Sequence, residues 1–308
     1  MRIDEIITPG EPCFSFEFFP PKTDDGQRML EETLAVLKDD DPDYVSVTYG
    51  AAGSTRERTV EITKWIKQDL EIEAMAHLSC VGEPTERLVE ILGEIRDAGI
   101  DNVLALRGDP PRGETEWVPH PEGLRWSIEL IELIRAQFPD FCIGAACFPE
   151  VHPEATGPEQ DLEYAKRKVD AGATFLITQL FFDNDDYFDF VERARDIGID
   201  VPIIAGIMPI TNFEQIKRFT SMCGATIPQA LHNQLERHNA SSDGEGVIDL
   251  GVAYATLQCT DLLARGAPGI HFYTLNKSPA TRAVVSALKA ARPWEQASGN
   301  SGRATQTA

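Results

Sequence analysis

The most conspicuous ionisable residue is Glu17, set in Phe14-Ser15-Phe16-Glu17-Phe18-Phe19-Pro20-Pro21 with four phenylalanines as sequence neighbours. A carboxyl desolvated by aromatic surroundings has a raised pKa, stays protonated near neutrality and serves as a general acid. The competing reading is an outward-pointing strand residue or a salt-bridge partner. Arg107-Gly108-Asp109 is the second charged feature. The Pro110-Pro111 that follows stiffens the loop and suits it to positioning Asp109, unless the two charges only pair across a turn. His77 is either a hydrogen-bonded core histidine or a ligand contact. Gln179, inside an apolar run, needs buried hydrogen-bond partners, from a neighbour or from a planar heterocycle. Lys166-Arg167-Lys168 interrupts an acidic background and reads as a solvated helix face or a place for a phosphate.

These residues need elements to hold them, and the chain alternates short β-type runs with longer helical patterns. Strands are predicted over 13–19, 44–49, 73–80, 102–107, 142–148, 175–182, 201–208 and 269–275. Amphipathic helices are predicted over 25–38, 84–98, 124–138, 158–171, 185–197, 212–222, 246–265 and 278–290. Pro84 suits a first helical position, Ser278-Pro279 reads as N-cap and first turn, and Gly99, Gly172 and Gly198 read as helix stops. Eight β-then-α units predict a single-domain α/β fold, a (β/α)8 TIM barrel over 1–294. A doubly wound sheet fits less well, because no G-x-G-x-x-G follows the first strand. Residues 108–123 form a Pro/Gly-rich loop and 224–245 a partly helical insertion. The polar segment 295–308 is expected to be a disordered tail, with no regulatory domain beyond it.

In such a barrel, chemistry gathers at the C-terminal ends of the strands. The polar residues there are Glu17, Thr48, Tyr49, His77, Ser79, Arg107, Asp109, Glu150, His152, Gln179, Asn276 and Lys277. None of the strands carries a lysine for Schiff-base chemistry. No H-x-H or H-E-x-x-H spacing supports a metal hydrolase, so no metal is expected. A cofactor-dependent redox enzyme fits an amide- and aromatic-lined mouth with few charges.

Composition sets the outer bounds. The 308 residues carry 28 Lys and Arg against 50 Asp and Glu, a formal net charge of −22. So negative a surface repels nucleic acid and anionic membrane, and any anionic ligand needs local cations. The six cysteines form no C-x-x-C pair and read as small buried hydrophobes of a reduced compartment. Met1 to Gly10 is polar and acidic rather than a signal peptide, and no apolar run is expected to reach the ~20 residues of a membrane span. A soluble cytoplasmic protein is therefore expected.

Several blocks are informative together. They are Ser15-Phe16-Glu17-Phe18-Phe19-Pro20-Pro21-Lys22, Val45-Ser46-Val47-Thr48-Tyr49-Gly50-Ala51, Ala76-His77-Leu78-Ser79-Cys80 and Ala105-Leu106-Arg107-Gly108-Asp109. They continue with Pro149-Glu150-Val151-His152-Pro153-Glu154-Ala155, 166–173, Ile177-Thr178-Gln179 and His271-Phe272-Tyr273-Thr274-Leu275-Asn276. In this order they resemble the methylenetetrahydrofolate reductase family.

The resemblance implies an FAD-containing barrel that reduces 5,10-methylenetetrahydrofolate to 5-methyltetrahydrofolate with NADH or NADPH, the dinucleotide leaving before folate takes its place. It implies that Glu17 protonates folate N10 so that the ring opens to an iminium. It further implies that Asp109 tunes the flavin and contacts folate. Carried over as FAD contacts are Thr48, Tyr49, Ala51, His77, Arg107, Gly108, Asp109, Phe148, His152, Ala155, Asp161, Arg167 and Lys168. Gln179, Gln215, Phe219 and Lys277 are carried over as substrate contacts. Against the bacterial pattern, Phe148 stands where a flavin-site Tyr is common, Tyr164 replaces Asn, and Lys277 replaces Arg, keeping the charge without the bidentate fork. The loop 110–123 is longer. The resemblance leaves NADH against NADPH open and is compatible with a homo-oligomer. Two other readings of the same barrel are a flavin-free folate-binding protein and a metal-dependent hydrolase.

Overall fold

The strands are buried along nearly their whole length, which suits a parallel sheet covered on both faces. They are β1 Cys13–Phe18, β2 Tyr44–Val47, β3 Ala74–Ser79, β4 Asn102–Leu106, β5 Cys142–Cys147, β6 Phe175–Thr178, β7 Ile203–Ile207 and β8 Gly269–Tyr273. Each pairs in parallel with its sequence neighbour, and β8 closes on β1, so the sheet is a closed barrel. This computed structural model describes residues 1–49, 56–108, 118–241, 245–277 and 279–295. The single-domain (β/α)8 barrel expected from the alternation is the fold observed.

The helices are α1 Ile3–Ile6, α2 Asp24–Lys38, α3 Arg56–Gln68, α4 Thr85–Asp97, α5 Ser127–Gln137 and α6 Pro158–Asp170. They continue with α7 Asn184–Asp196, α8 Phe213–Cys223, α9 Gln229–Ala240, α10 Glu245–Ala264 and α11 Pro279–Ala291. Gly99, Gly172 and Gly198 take left-handed φ after α4, α6 and α7, as stop signals do. Pro84 is the N-cap of α4, one position earlier than expected, and Ser278 lies outside the described residues.

Strand alternation splits the core in two. Phe14, Phe16, Phe18, Val45, Val47, Ala76 and Leu78 face outward and pack under the helices in the main cluster. Phe16, Phe18 and Phe272 are fully buried there, each worth about 1.5–3 kcal/mol of transfer free energy. The lumen holds a second cluster with Cys13, Tyr44, Met75, Leu104, Cys142 and Phe175. Gly144 leaves the room the Phe175 ring fills, since a Cβ there would lie 2.6 Å from Phe175 Cζ. α1 plugs the lower end: Ile3 joins the lumen cluster, and its amide donates to Asn102 Oδ1 at 2.8 Å.

The helices α1 and α3 were not among those expected, and α10, expected as a helix, differs in its apolar length. α3 was not anticipated between the second and third strands, because its buried stripe of Thr59, Ile62, Thr63 and Ile66 is half threonine. The hydroxyls satisfy local carbonyls, Thr59 donating to Thr48 O at 2.9 Å and Thr63 to Thr59 O at 2.6 Å, so the stripe packs although its apolar signal is weak. α10, in contrast, has 20 residues and is apolar enough by length and composition to cross a membrane, against the expectation that no stretch reaches that length. It lies in the helical layer with Val247, Gly251, Ala255, Cys259, Leu262 and Leu263 buried.

Candidate active site

Glu17 sits near the C-terminal end of β1, where the pleat turns its phenylalanine neighbours outward and Glu17 inward. Phe14, Phe16 and Phe18 therefore do not form the pocket expected from sequence adjacency. Glu17 Oε2 lies 3.6 Å from His77 Nε2 and 3.5 Å from His271 Nε2. His271 Nδ1 lies 2.8 Å from Ser15 Oγ, so the Nε2–H tautomer lets the serine hydroxyl donate to Nδ1 while Nε2–H points at the carboxylate. His77 Nε2 is buried without a hydrogen-bond partner.

This corrects the expected charge state. Burial opposes ionisation of Glu17, but the hydrogen bond from His271 and the fields of His77 and His271 outweigh it and hold the carboxyl below its ordinary value. Burial pushes His77 down from 6.5 to about 4, despite the attraction of Glu17. His77 is thus neutral at neutral pH, and the bond from His271 is what sustains the Glu17 charge. The carboxyl is thus held below its ordinary value, rather than raised above it as phenylalanine contacts would have done.

The strand end is held from β8. Thr274 Oγ1 donates to Glu17 O at 2.6 Å. Asn276 grips the next turn with both ends of its amide, accepting from Phe19 N at 2.7 Å and donating to Phe19 O at 2.8 Å. Leu275 and Asn276 both adopt left-handed φ, which turns this clamp toward β1. On the opposite wall Tyr273 OH donates to Thr178 O at 2.7 Å.

A cationic corner lies after β4 and β5. Arg107 forms a two-pronged pair with Glu154, NH2 to Oε1 at 2.8 Å, and its guanidinium stands 5.7 Å from the Trp126 ring centre. Lys168, on α6, donates to Ala146 O at 2.7 Å, and burial, with Arg107 nearby, lowers its pKa. The His152 amide donates to Asp161 Oδ2 at 3.1 Å, while the His152 ring packs edge-on to Phe148 at 4.6 Å. Burial raises the Asp161 carboxyl. Ala155 follows in the same turn, its amide bonded to His152 O at 2.9 Å. The basic trio divides: Lys168 faces this corner, Arg167 is exposed beside Tyr164, and Lys166 pairs with Asp170 on the surface.

Thr48 is buried at the end of β2 and Tyr49 packs against the main core. Gly108 has φ +94, and a Cβ there would lie 2.4 Å from Val81 Cγ1, so the neighbouring strand end already demands glycine. Ala51 and Asp109 lie outside the described residues. Gln215 and Phe219, one turn apart on α8, line a narrow cleft with Met208, Thr211 and Leu275. Gln179 is half-buried beyond β6, its Oε1 accepting from Leu180 N at 2.9 Å, and Lys277 is exposed beyond β8.

Reading from sequence assigned no role to Ser15, His271, Tyr273 or Thr274. Period-two alternation was the available signal: Ser15 shares a face with Glu17, and His271 and Tyr273 alternate with outward-facing Ile270 and Phe272. Among the described residues, no three His, Cys, Asp or Glu side chains converge as a metal-ligand set.

A sequence profile for methylenetetrahydrofolate reductase matches residues 2–289. The 5,10-methylenetetrahydrofolate reductases of Salmonella typhimurium and Escherichia coli are each 38% identical over 280 residues, covering 91% of this chain and 91% of theirs. Methylenetetrahydrofolate reductase (NADH) 1 of Arabidopsis thaliana is 39% identical over 96% of this chain, which spans only 52% of the plant protein. The chain thus covers about half the length of its plant relatives. A solved Clostridium thermocellum protein that binds two copies of 5-methyl-5,6,7,8-tetrahydrofolic acid shares the fold, with a TM-score of 0.63 at 16% identity over 94% of this chain and 98% of that one. The profile runs across nearly the whole sequence and the bacterial relatives match over nine-tenths of both partners, so this chain belongs to the methylenetetrahydrofolate reductase family.

Proposed function

We propose that this chain is a cytoplasmic enzyme that reduces 5,10-methylenetetrahydrofolate to 5-methyltetrahydrofolate, with NADH or NADPH as electron donor and FAD as the resident carrier. The observation that carries the reading is the Glu17 carboxyl, set in the barrel lumen against two imidazoles. Family membership adds the substrate class.

The donor set fits FAD. Lys168, with the Glu154-paired Arg107 beside it, offers a cationic corner in a chain of net charge −22, as a diphosphate requires, and Arg167, exposed on the same helix, is assigned to the same diphosphate. The unpartnered His77 Nε2 supplies a polar contact on the lumen side. Thr48, Tyr49, Phe148, His152, Ala155 and Asp161 complete the set, with Ala51, Gly108 and Asp109 in the same assignment. Bound FAD would supply hydride transfer in two half-reactions, from the nicotinamide and then to the methylene carbon of folate.

Reduction of the folate by NAD(P)H consumes one proton per turnover, and Glu17 is placed to deliver it from Oε2 to folate N10. Because its carboxyl is held below its ordinary value, Glu17 must first take up that proton. Folate covering the mouth excludes water, which strengthens the burial already opposing the Glu17 charge and drives proton uptake where it is needed. Gln179, Gln215 and Phe219 would orient the pterin and aminobenzoyl rings, and exposed Lys277 would meet the glutamate tail as a single charge.

The test is anaerobic mixing of flavin-loaded protein with NADH or NADPH and then with methylenetetrahydrofolate, following the flavin absorbance. Bleaching by the dinucleotide and recovery with folate are expected. Glu17→Gln should bleach normally and recover at least ~100-fold more slowly, within the range of a lost general acid. Purified protein that neither carries flavin nor is activated by FAD would refute the flavin assignment, and normal folate reduction by the variant would refute the role of Glu17.

A further inference from the structure

Glu150 stands in the turn three residues beyond β5 and has no part in the chemistry proposed above. Its Oε2 accepts from the amide of Thr226 at 2.8 Å, across 76 residues, in the link between α8 and α9. Its Oε1 is buried without a hydrogen-bond partner. Burial, together with the fields of Asp186 and Asp183, raises the carboxyl above its ordinary value. A carboxylate kept in so unfavourable a place needs a reason.

The surroundings supply one. Val151, the next residue, has φ +86, a conformation that β-branched residues avoid and that persists only where the surroundings enforce it. Gly224, which ends α8 with φ +80, lies under this same turn: a Cβ there would stand 3.1 Å from Pro153 Cγ and 3.7 Å from Val151 O. Two contacts therefore brace the loop after β5 against the C-terminal end of α8. The loop carries His152 and Ala155, and α8 carries Gln215 and Phe219.

We infer that Glu150 is a positioning residue: by holding Thr226 it fixes α8 against the loop bearing His152 and Ala155, and so sets where Gln215 and Phe219, which line the narrow cleft, stand relative to that loop. The inference rests on the proposed function for which ligand fills the cleft, and on geometry alone for the brace. A neutral acceptor at the same place preserves the brace; loss of the acceptor releases α8 without touching Glu17.

Glu150→Gln and Glu150→Ala, both as flavin-loaded protein, separate these cases. Amide exchange at Thr226 should stay slow in wild type and Glu150→Gln and quicken at least ~10-fold in Glu150→Ala, the range expected for a lost charge-assisted hydrogen bond. The KM for methylenetetrahydrofolate should rise about tenfold in Glu150→Ala with kcat changed less than about threefold, and Glu150→Gln should restore it. Unchanged exchange in Glu150→Ala would overturn the brace. A fall in kcat at constant KM, or Glu150→Gln behaving like Glu150→Ala, would overturn the positioning role. Should wild type not turn over this folate at all, the proposed function fails while the exchange comparison still decides the brace.

Discussion

Replacing His77 by Asn should remove much of the acid sensitivity of this fold. In the folded chain burial holds His77 at about 4, against 6.5 for the free side chain. Between those values the unfolded chain binds a proton that the folded chain does not, so stability is present above the unfolded value and falls as pH drops toward the folded one. The gap corresponds to about 3 kcal/mol in full, of which about 2 kcal/mol is lost between about pH 7 and pH 5. Glu17 has the opposite chemistry but the same direction of loss, since its depressed folded value makes its contribution disappear only as pH falls through that value, below this window. Burial also lowers His152, which is common to both proteins and cancels in the comparison. Urea unfolding at the two pH values, on flavin-free protein throughout, measures the difference. Wild type should lose about 2 kcal/mol more than His77→Asn between about pH 7 and pH 5. Equal losses would refute the claim that His77 is buried neutral beside Glu17.

Other consequences follow from the same packing. Gly206→Ala would place a Cβ 2.2 Å from Thr178 O and 2.8 Å from Tyr273 OH, so a loss of about 1–3 kcal/mol, or failure to fold, is expected in urea unfolding. Tyr187→Phe deletes a buried hydroxyl that donates to Ile203 O at 2.7 Å and should cost about 1–2 kcal/mol by the same assay. On the proposed FAD assignment, Lys168→Met should weaken flavin binding by roughly 10- to 100-fold in a fluorescence titration, the scale of one charge-assisted contact. An unchanged titration would remove Lys168 from the diphosphate side.

Much of the architecture was legible in the order of residues, because a strand buried on both faces leaves a short apolar run and an amphipathic helix leaves a 3.6-residue stripe. All eight strands lie where such runs occur. The rule failed at α3, where threonines stand in the buried stripe and meet carbonyls instead of oil. At α10 the helix was legible over 246–265, and what was missed is its length and apolar composition, which pass for a membrane span although its buried side chains lie in the barrel's outer layer.

The site divides along the same line. Residue type and motif were enough to place Glu17, His77, Arg107, His152 and Gln179 at the C-terminal ends of the strands, since covalent order within a (β/α)8 barrel decides which loops share a face. What surrounds each side chain was not legible. Sequence adjacency put phenylalanines beside Glu17, but the pleat turns adjacent residues to opposite faces, and closure of β8 on β1 brings His271 from 254 residues away in their stead. That exchange turns an expected acid, its pKa raised by aromatic burial, into a carboxyl held below its ordinary value by an imidazole. Likewise the brace between Glu150 and Thr226 joins segments that only the folded barrel brings together. Local order decided which groups reach the mouth; tertiary closure decided their neighbours, and with them their charge.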